Sequence, residues 1–210
     1  MNPETKFLMG LIELQYGQPV QSKLKKMATK IPWAQGWPEN KQSFWNAEAF
    51  MWSRKIEKET RAMIQQELQF LAQGKNLDIG CGAYSYIPSV GFDLSPQMLK
   101  LNDSCVEKVQ GDVEQKLPFQ DKSFDSVTAV FVLNYVKNYK QLLQEINRVL
   151  KPKGYFVMVL SATKINDWQR QKEINHFTGK KWKMIVENEG FKVKLYQKEK
   201  VLVLKCITKA

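Results

Sequence analysis

From Asn76 onward, short apolar runs alternate with stretches in which apolar residues recur every three or four positions. Residues 76–80 and 89–93 read as strands, and 106–109 as a third. Residues 124–133 (FDSVTAVFVL) are nearly all apolar between polar flanks, as expected of a central strand covered on both faces. Residues 155–160 make a fifth. Between the strands, Ser95 caps a helix that Pro96 opens and that runs through Met98, Leu99 and Leu101. A longer helix carries apolar residues at 139, 142, 143, 146, 149 and 150 and ends at Pro152 and Gly154. Residues 180–189 are helical up to Gly190, and 191–196 and 201–207 pair as a terminal antiparallel hairpin. This alternation predicts a doubly wound α/β fold around a mostly parallel, seven-stranded sheet.

The chain before Asn76 follows another pattern. Residues 46–72 read as one amphipathic helix with Ala49, Trp52, Ile56, Met63 and Phe70 on its apolar side, stopped by Gly74. The first 45 residues have no clean period. Trp33, Trp37 and Trp45 are interrupted by Pro19, Pro32 and Pro38 and by the basic run at 23–26, which predicts short helices packed on something larger. The expected organisation is an N-terminal helical lid segment over 1–45 and the α/β domain over 46–210.

Composition narrows the class. With 210 residues, 43% hydrophobic and 25% charged, the chain can bury a core without covalent staples. Its three cysteines, Cys81, Cys105 and Cys206, are widely spaced, and His176 is its one histidine, so neither a disulfide framework nor a zinc or other metal site is expected. No apolar run reaches the ~18 residues a membrane span needs. The opening MNPETKFLMG carries Glu4 and no long apolar stretch, so no secretory signal and a cytoplasmic location are expected. Net charge is +11, unevenly placed: residues 76–150 hold 7 basic and 9 acidic side chains, residues 151–210 hold 14 and 5. The basic flank admits nucleic acid as a partner, but 28 of the 32 basic residues are lysine, whereas phosphate and base recognition favour arginine.

The chemistry concentrates at strand ends. In Leu77-Asp78-Ile79-Gly80-Cys81-Gly82, two glycines directly after a strand let a ligand approach the backbone. Asp93 closes the second strand, where a carboxylate can accept both hydroxyls of a ribose. Asp112 follows the third, placed for an adenine amino group. One such acid often only caps a turn; three in strand order form a row along one sheet edge. A dinucleotide dehydrogenase fits poorly, because Ser85 stands at the third glycine position and the acid follows Gly80 by 13 residues rather than about 20.

LDIGCG, FDLSPQML, GDVEQKLPF, DKSFDSVTAVFVL and RVLKPKGYFVMV, in this order, resemble the successive motifs of class I S-adenosylmethionine-dependent methyltransferases. The resemblance covers about residues 70–208. It implies S-adenosylmethionine as cofactor, with Asp78, Gly80 and Gly82 around its methionine portion and Asp93 on the ribose. It likewise implies Leu94 against the adenine, Asp112 and Val113 on the adenine edge, and Phe131 below the sulfonium.

Two departures stand out. Tyr84 occupies the family's usual third glycine position, and nine residues between Gly80 and Val90 are too few for a helical crossover. The Trp-rich N-terminal segment is the candidate to cover the side left open. On the acceptor side, Tyr135 can orient or deprotonate a substrate or simply pack, and His176 can be a general base or a solvated loop residue. The expected function is methyl transfer to a small-molecule acceptor. The alternatives are an RNA (tRNA) methyltransferase and a non-catalytic cofactor-binding partner subunit.

Overall fold

The computed structural model describes residues 2–163 and 172–209. Its centre is β4 (Phe124–Val130), flanked by β1 (Asn76–Ile79) and β5 (Leu150–Ser161), with β2 (Ser89–Asp93) and β3 (Cys105–Gln110) beyond β1. These five strands run parallel. β7 (Val201–Thr208) joins antiparallel to β5, and β6 (Phe191–Lys198) closes the far edge, giving the order β3-β2-β1-β4-β5-β7-β6. The doubly wound, mostly parallel sheet with a terminal hairpin is therefore as the pattern predicts. The chain winds outward from β1 to β3 and returns at β4, so the switch point lies between β1 and β4, where ligands bind sheets of this kind.

The helices cover both faces. One core joins the sheet to α6 (Tyr139–Val149) and α7 (Gly179–Asn188), with Leu142, Leu143, Ile146, Trp182 and Val186 all buried. Thr178 caps α7, its hydroxyl accepting from Lys181 N at 3.2 Å. Ser95 caps α5 (Pro96–Leu101) as expected, accepting from Met98 N at 3.0 Å.

The single helix expected over 46–72 is two. α3 (Lys41–Lys55) and α4 (Lys58–Leu68) are separated by extended backbone at Ile56 and Glu57, and a 3-10 turn follows over Gln69–Leu71. The two apolar faces have different partners. Met63, Ile64 and Leu68 of α4 pack on Val157, Val159, Val201 and Val203, whereas Ala47 of α3 joins Phe7, Leu24, Ile31 and Trp37. Phe70, expected in the stripe, is half exposed, with Tyr155 edge-on and Lys205 Nζ 4.7 Å from its ring centre.

α1 (Pro3–Gln15), α2 (Gln21–Ala28) and a 3-10 turn (Pro32–Ala34) form a small cluster with α3, in which Phe7 meets Trp33 and Trp37 edge-on at 5.8 and 5.4 Å. The boundary expected at 45/46 falls inside α3, so that helix belongs to both segments. Asn46 fastens the cluster to the sheet: its amide donates to Trp33 O at 2.8 Å and its oxygen accepts from the Ser95 hydroxyl at 2.7 Å. Asn46 and Ser95 are both buried, so losing either bond strands a polar group. Asn46→Ala is expected to lower stability by about 1–3 kcal/mol. Thermal unfolding followed by circular dichroism should show a midpoint about 3–10 °C lower; an unchanged midpoint would mean that the cluster is held by other contacts.

Candidate functional site

At the switch point a cleft with about 570 Å³ of atom-free space, its mouth open to solvent, lies over the carboxyl ends of the strands. Its floor is Gly80 and Gly82 after β1, Asp93 and Leu94 after β2, Asp112 and Val113 after β3, and Val130, Phe131 and Val132 at the end of β4. Seven of the eight expected cofactor residues, all but Asp78, thus line one cavity. Lys41, Trp45 and Trp52 of α3 form its roof, with Tyr135 and Val136 at one end.

The glycines are there for backbone reasons. Gly80 and Gly82 have φ of +59° and +58°, the left-handed region that side chains rarely adopt. A Cβ on Gly80 would stand 2.8 and 2.9 Å from the Val132 methyls. A Cβ on Gly82 would meet the Trp52 indole at 3.4 Å, so the loop and α3 nearly touch. No helix forms between Gly80 and Val90. Tyr84 and Tyr86 stack edge-on at 5.2 Å instead, and pack with Ile87 against the layer that includes Met63 and Phe131. Phe131 itself has φ +59°, an uncommon conformation for an aromatic residue; its N–H donates to Val159 O at 2.8 Å, holding the chain as it leaves β4.

The acids differ in environment. Asp93 is buried; Gly82 N donates to its Oδ2 at 2.9 Å and Ser95 N to its Oδ1 at 2.8 Å, which leaves the carboxylate capacity for a further donor. Burial raises its pKa to about 6, against the pull of the backbone donors at Ser95, Gly82 and Leu94. Asp78 does not reach the cleft. It is 3% exposed and accepts from the Thr128 hydroxyl at 2.7 Å, the top of a buried ladder in which Asn76 joins Ser126 and Thr128 across β1 and β4. Burial raises its pKa to about 6 as well. Asp78 therefore lies beneath the glycine loop, outside the cavity whose lining holds the other seven expected cofactor residues. Asp112 accepts from Lys41 Nζ at 2.9 Å, and the same ammonium reaches Glu114 at 2.8 Å. Glu114 in turn accepts from the backbone N–H groups of Lys137 and Asn138, tying this corner to the start of α6.

Of the acceptor-side candidates, only Tyr135 is in the cleft. It is 8% exposed, lies edge-on to Trp45 at 5.0 Å, and its hydroxyl has no hydrogen-bond partner among the described residues. Burial, and then the charges of Glu173 and Glu48, raise its pKa, so it is an O–H donor rather than a base. His176 is exposed and faces Glu173 at 3.6 Å, outside the cleft, so the structure does not support it as a general base there. Of the tryptophans, Trp33 and Trp37 are core, and Trp45 and Trp52 are cleft wall.

Sequence reasoning missed Lys41, Asn46 and Asn175. The Asn175 amide donates to Leu133 O at 2.9 Å and Val136 O at 2.7 Å, clamping the turn that presents Tyr135. No local pattern marks such long-range bonds.

Residues 77–158 match the family model described as a methyltransferase domain. The chain is 37% identical over 114 residues to a demethylmenaquinone methyltransferase of Staphylococcus carnosus, covering 46% of this chain and 47% of that protein. It is 29% identical over 133 residues to a sterol 4-C-methyltransferase of Caenorhabditis elegans, covering 55% and 39%. The chain thus spans about half the length, or less, of these curated relatives. Among solved structures, SAM-dependent methyltransferases from Thermotoga maritima (TM-score 0.64, 17% identity, covering 79% of this chain and 98% of that one) and Aquifex aeolicus (0.61, 16%, 78% and 98%) share the fold.

Gly80→Ala is expected to destabilise the chain by more than the roughly 1–2 kcal/mol of left-handed strain alone, because Val132 must also move. Gly17, with φ +81° and open space around it, is the control: Gly17→Ala carries the strain without the clash. Equal losses for the two variants in urea unfolding would show that the Gly80–Val132 approach is unimportant.

Proposed function

We propose, from the methyltransferase-domain match over residues 77–158 and the shared fold, that the chain is a class I S-adenosylmethionine-dependent methyltransferase that binds its cofactor in the cleft under α3 and transfers the methyl group to a small-molecule acceptor. The observation that carries this reading is the set of cleft groups with capacity to spare. Asp93 keeps acceptor capacity beyond its backbone donors, Asp112 reaches the same cavity, and Tyr135 holds a buried hydroxyl unpaired among the described residues. A nucleoside carrying an amino-acid cation fits these groups.

In this reading Asp93 accepts the two ribose hydroxyls, and Leu94 and Val113 enclose the adenine. Asp112 accepts its amino group while Lys41 keeps the corner closed. Gly80 and Gly82 allow the methionine portion to lie on bare backbone, and Phe131 ends β4 beside it. Asp78 supports this loop from below. When bound, the cofactor supplies an electrophilic methyl on a positively charged sulfur, which the acidic, aromatic-lined edge favours electrostatically. Trp45 and Trp52 exclude water from the reacting region and fix its geometry, which is most of what transfer to a good nucleophile requires. Tyr135 donates its O–H to the acceptor and orients it.

A small-molecule acceptor is favoured by the largely apolar lining of the cleft. Among the described residues Lys41 is the sole lysine lining the cleft, and its ammonium is engaged by Asp112 and Glu114. The basic residues Lys180, Lys181 and Lys183 of α7 do not line it either. The substrates named for the curated relatives, a demethylmenaquinone and a sterol, are small molecules too. Incubation with radiolabelled cofactor and a fractionated extract should place label in a small-molecule fraction. Label in tRNA would give the site to RNA, and tight cofactor binding without any turnover would indicate a non-catalytic subunit.

Two binding outcomes follow from Asp93. Its replacement by alanine removes charge-assisted bonds of roughly 1.5–3 kcal/mol each, so affinity for S-adenosylhomocysteine should fall at least ~10-fold by calorimetry. Hydroxyl donors favour the ionised carboxylate, whose pKa in the free chain is raised to about 6. Affinity should therefore be full above that pKa and decline below it, by up to about tenfold per unit. A flat profile from about pH 5 to 8 would mean that Asp93 does not hold the ribose.

A further inference from the structure

The outer surface of the N-terminal helices, remote from the cleft residues, has its own composition. Lys6 of α1 and Lys23, Lys26 and Lys30 of α2 and its end line one groove together with Met27. Lys25 pairs with Glu39, but among the described residues none of these four lysines has a carboxylate partner. Beside the groove, α1 and its C-cap carry Met9, Ile12 and Tyr16 at three- and four-residue steps, on the side opposite the buried Phe7 and Leu11. They are 49%, 37% and 82% exposed. Lys6 and Met9 lie one turn apart, so the basic groove and the apolar strip adjoin. Three exposed large apolar side chains along one short helix have no role in the cluster beneath them, since that cluster is completed by Phe7, Leu11 and Leu24.

We infer that α1 and α2 form a docking surface for an anionic lipid membrane, the four lysines facing phosphate headgroups and Met9, Ile12 and Tyr16 entering the interface. Charge complementarity selects the partner's sign, and the apolar strip separates a membrane from a polynucleotide. A phosphate backbone would use the lysines but gains nothing from Met9 and Ile12, and the surface offers no arginine fork. Tyrosine at the rim of such a strip suits the headgroup level, with its ring in the apolar layer and its hydroxyl in water. Each lysine near an anionic surface contributes only about a tenfold-or-less gain, and the apolar insertion is shallow, so binding is reversible and salt-sensitive. This surface is independent of the cleft. It would bring the cleft to a membrane-dissolved acceptor, but its binding is read without cofactor or turnover.

The test is co-sedimentation of the full chain with vesicles of phosphatidylcholine alone or mixed with phosphatidylglycerol, at low and high salt. The chain should bind the mixed vesicles at low salt, release at high salt and ignore the neutral ones. Lys23→Glu with Lys26→Glu and Lys30→Glu should cut binding at least ~50-fold. Met9→Ser with Tyr16→Ser, both exposed and checked for folding by circular dichroism, should cut it several-fold. No binding to the mixed vesicles at low salt overturns the proposal. So does an apolar-pair variant that binds vesicles as the parent does, and so does total tRNA binding more tightly than the vesicles, which would assign the lysines to RNA.

Discussion

The connection from Gly80 to Val90 is too short to hold a crossover helix, and the wall of the cleft that such a helix would build has to come from elsewhere in the chain. It comes from both sides. Tyr84, Tyr86 and Ile87 fill the space behind the glycine loop, and α3 lays Trp45 and Trp52 over its front. The second solution imposes conditions on the N-terminal segment. α3 must be anchored where its Trp52 indole meets Gly82, which Asn46 and the Ser95 hydroxyl accomplish near its middle and Lys41 with Asp112 and Glu114 at its start. The helix also breaks before α4: its Ala47 joins the N-terminal cluster, and only its Trp52 end reaches the layer on which α4 packs.

Electrostatics follow from the same closure. Roofing the sheet edge takes Asp93 out of water and raises its pKa, and the backbone donors at Gly82 and Ser95 offset that rise only in part. A carboxylate held in this way gains from any further donor that enters the cleft. Asp78, buried under the loop, shares the raised pKa but satisfies itself through Thr128. Tyr135 is the complement of these acids: a hydroxyl kept protonated by burial and by nearby negative charge, with no partner among the described residues. The cleft thus combines acceptors that await donors with a donor that awaits an acceptor.

Much of this is legible in the sequence, for physical reasons. A strand buried on both faces is rich in apolar residues, so the run at 124–133 announces itself even though it carries the buried Ser126 and Thr128, and glycines set directly after a strand mark a backbone that turns through positive φ. Asp93 and Asp112 are legible because strand order puts them on one edge. Asp78 is not, because its place beneath the loop depends on Thr128 lying opposite it in the register of β1 and β4. Helix periodicity over 46–72 is real but continuous across a break, since a period shows that a face is buried and not what buries it. Lys41, Asn46 and Asn175 reach partners 13 to 73 residues away, and a single sequence carries no local sign of such bonds.

Hydrogen–deuterium exchange with and without S-adenosylhomocysteine tests the central claim, that α3 closes a cofactor cleft at the switch point. Protection on binding is expected in residues 78–82 and 93–98 together with 41–52, the last because Trp45 and Trp52 line the cleft that the ligand would fill. Protection along the strand ends with none in 41–52 would contradict the claim, since the N-terminal helices would then be bystanders.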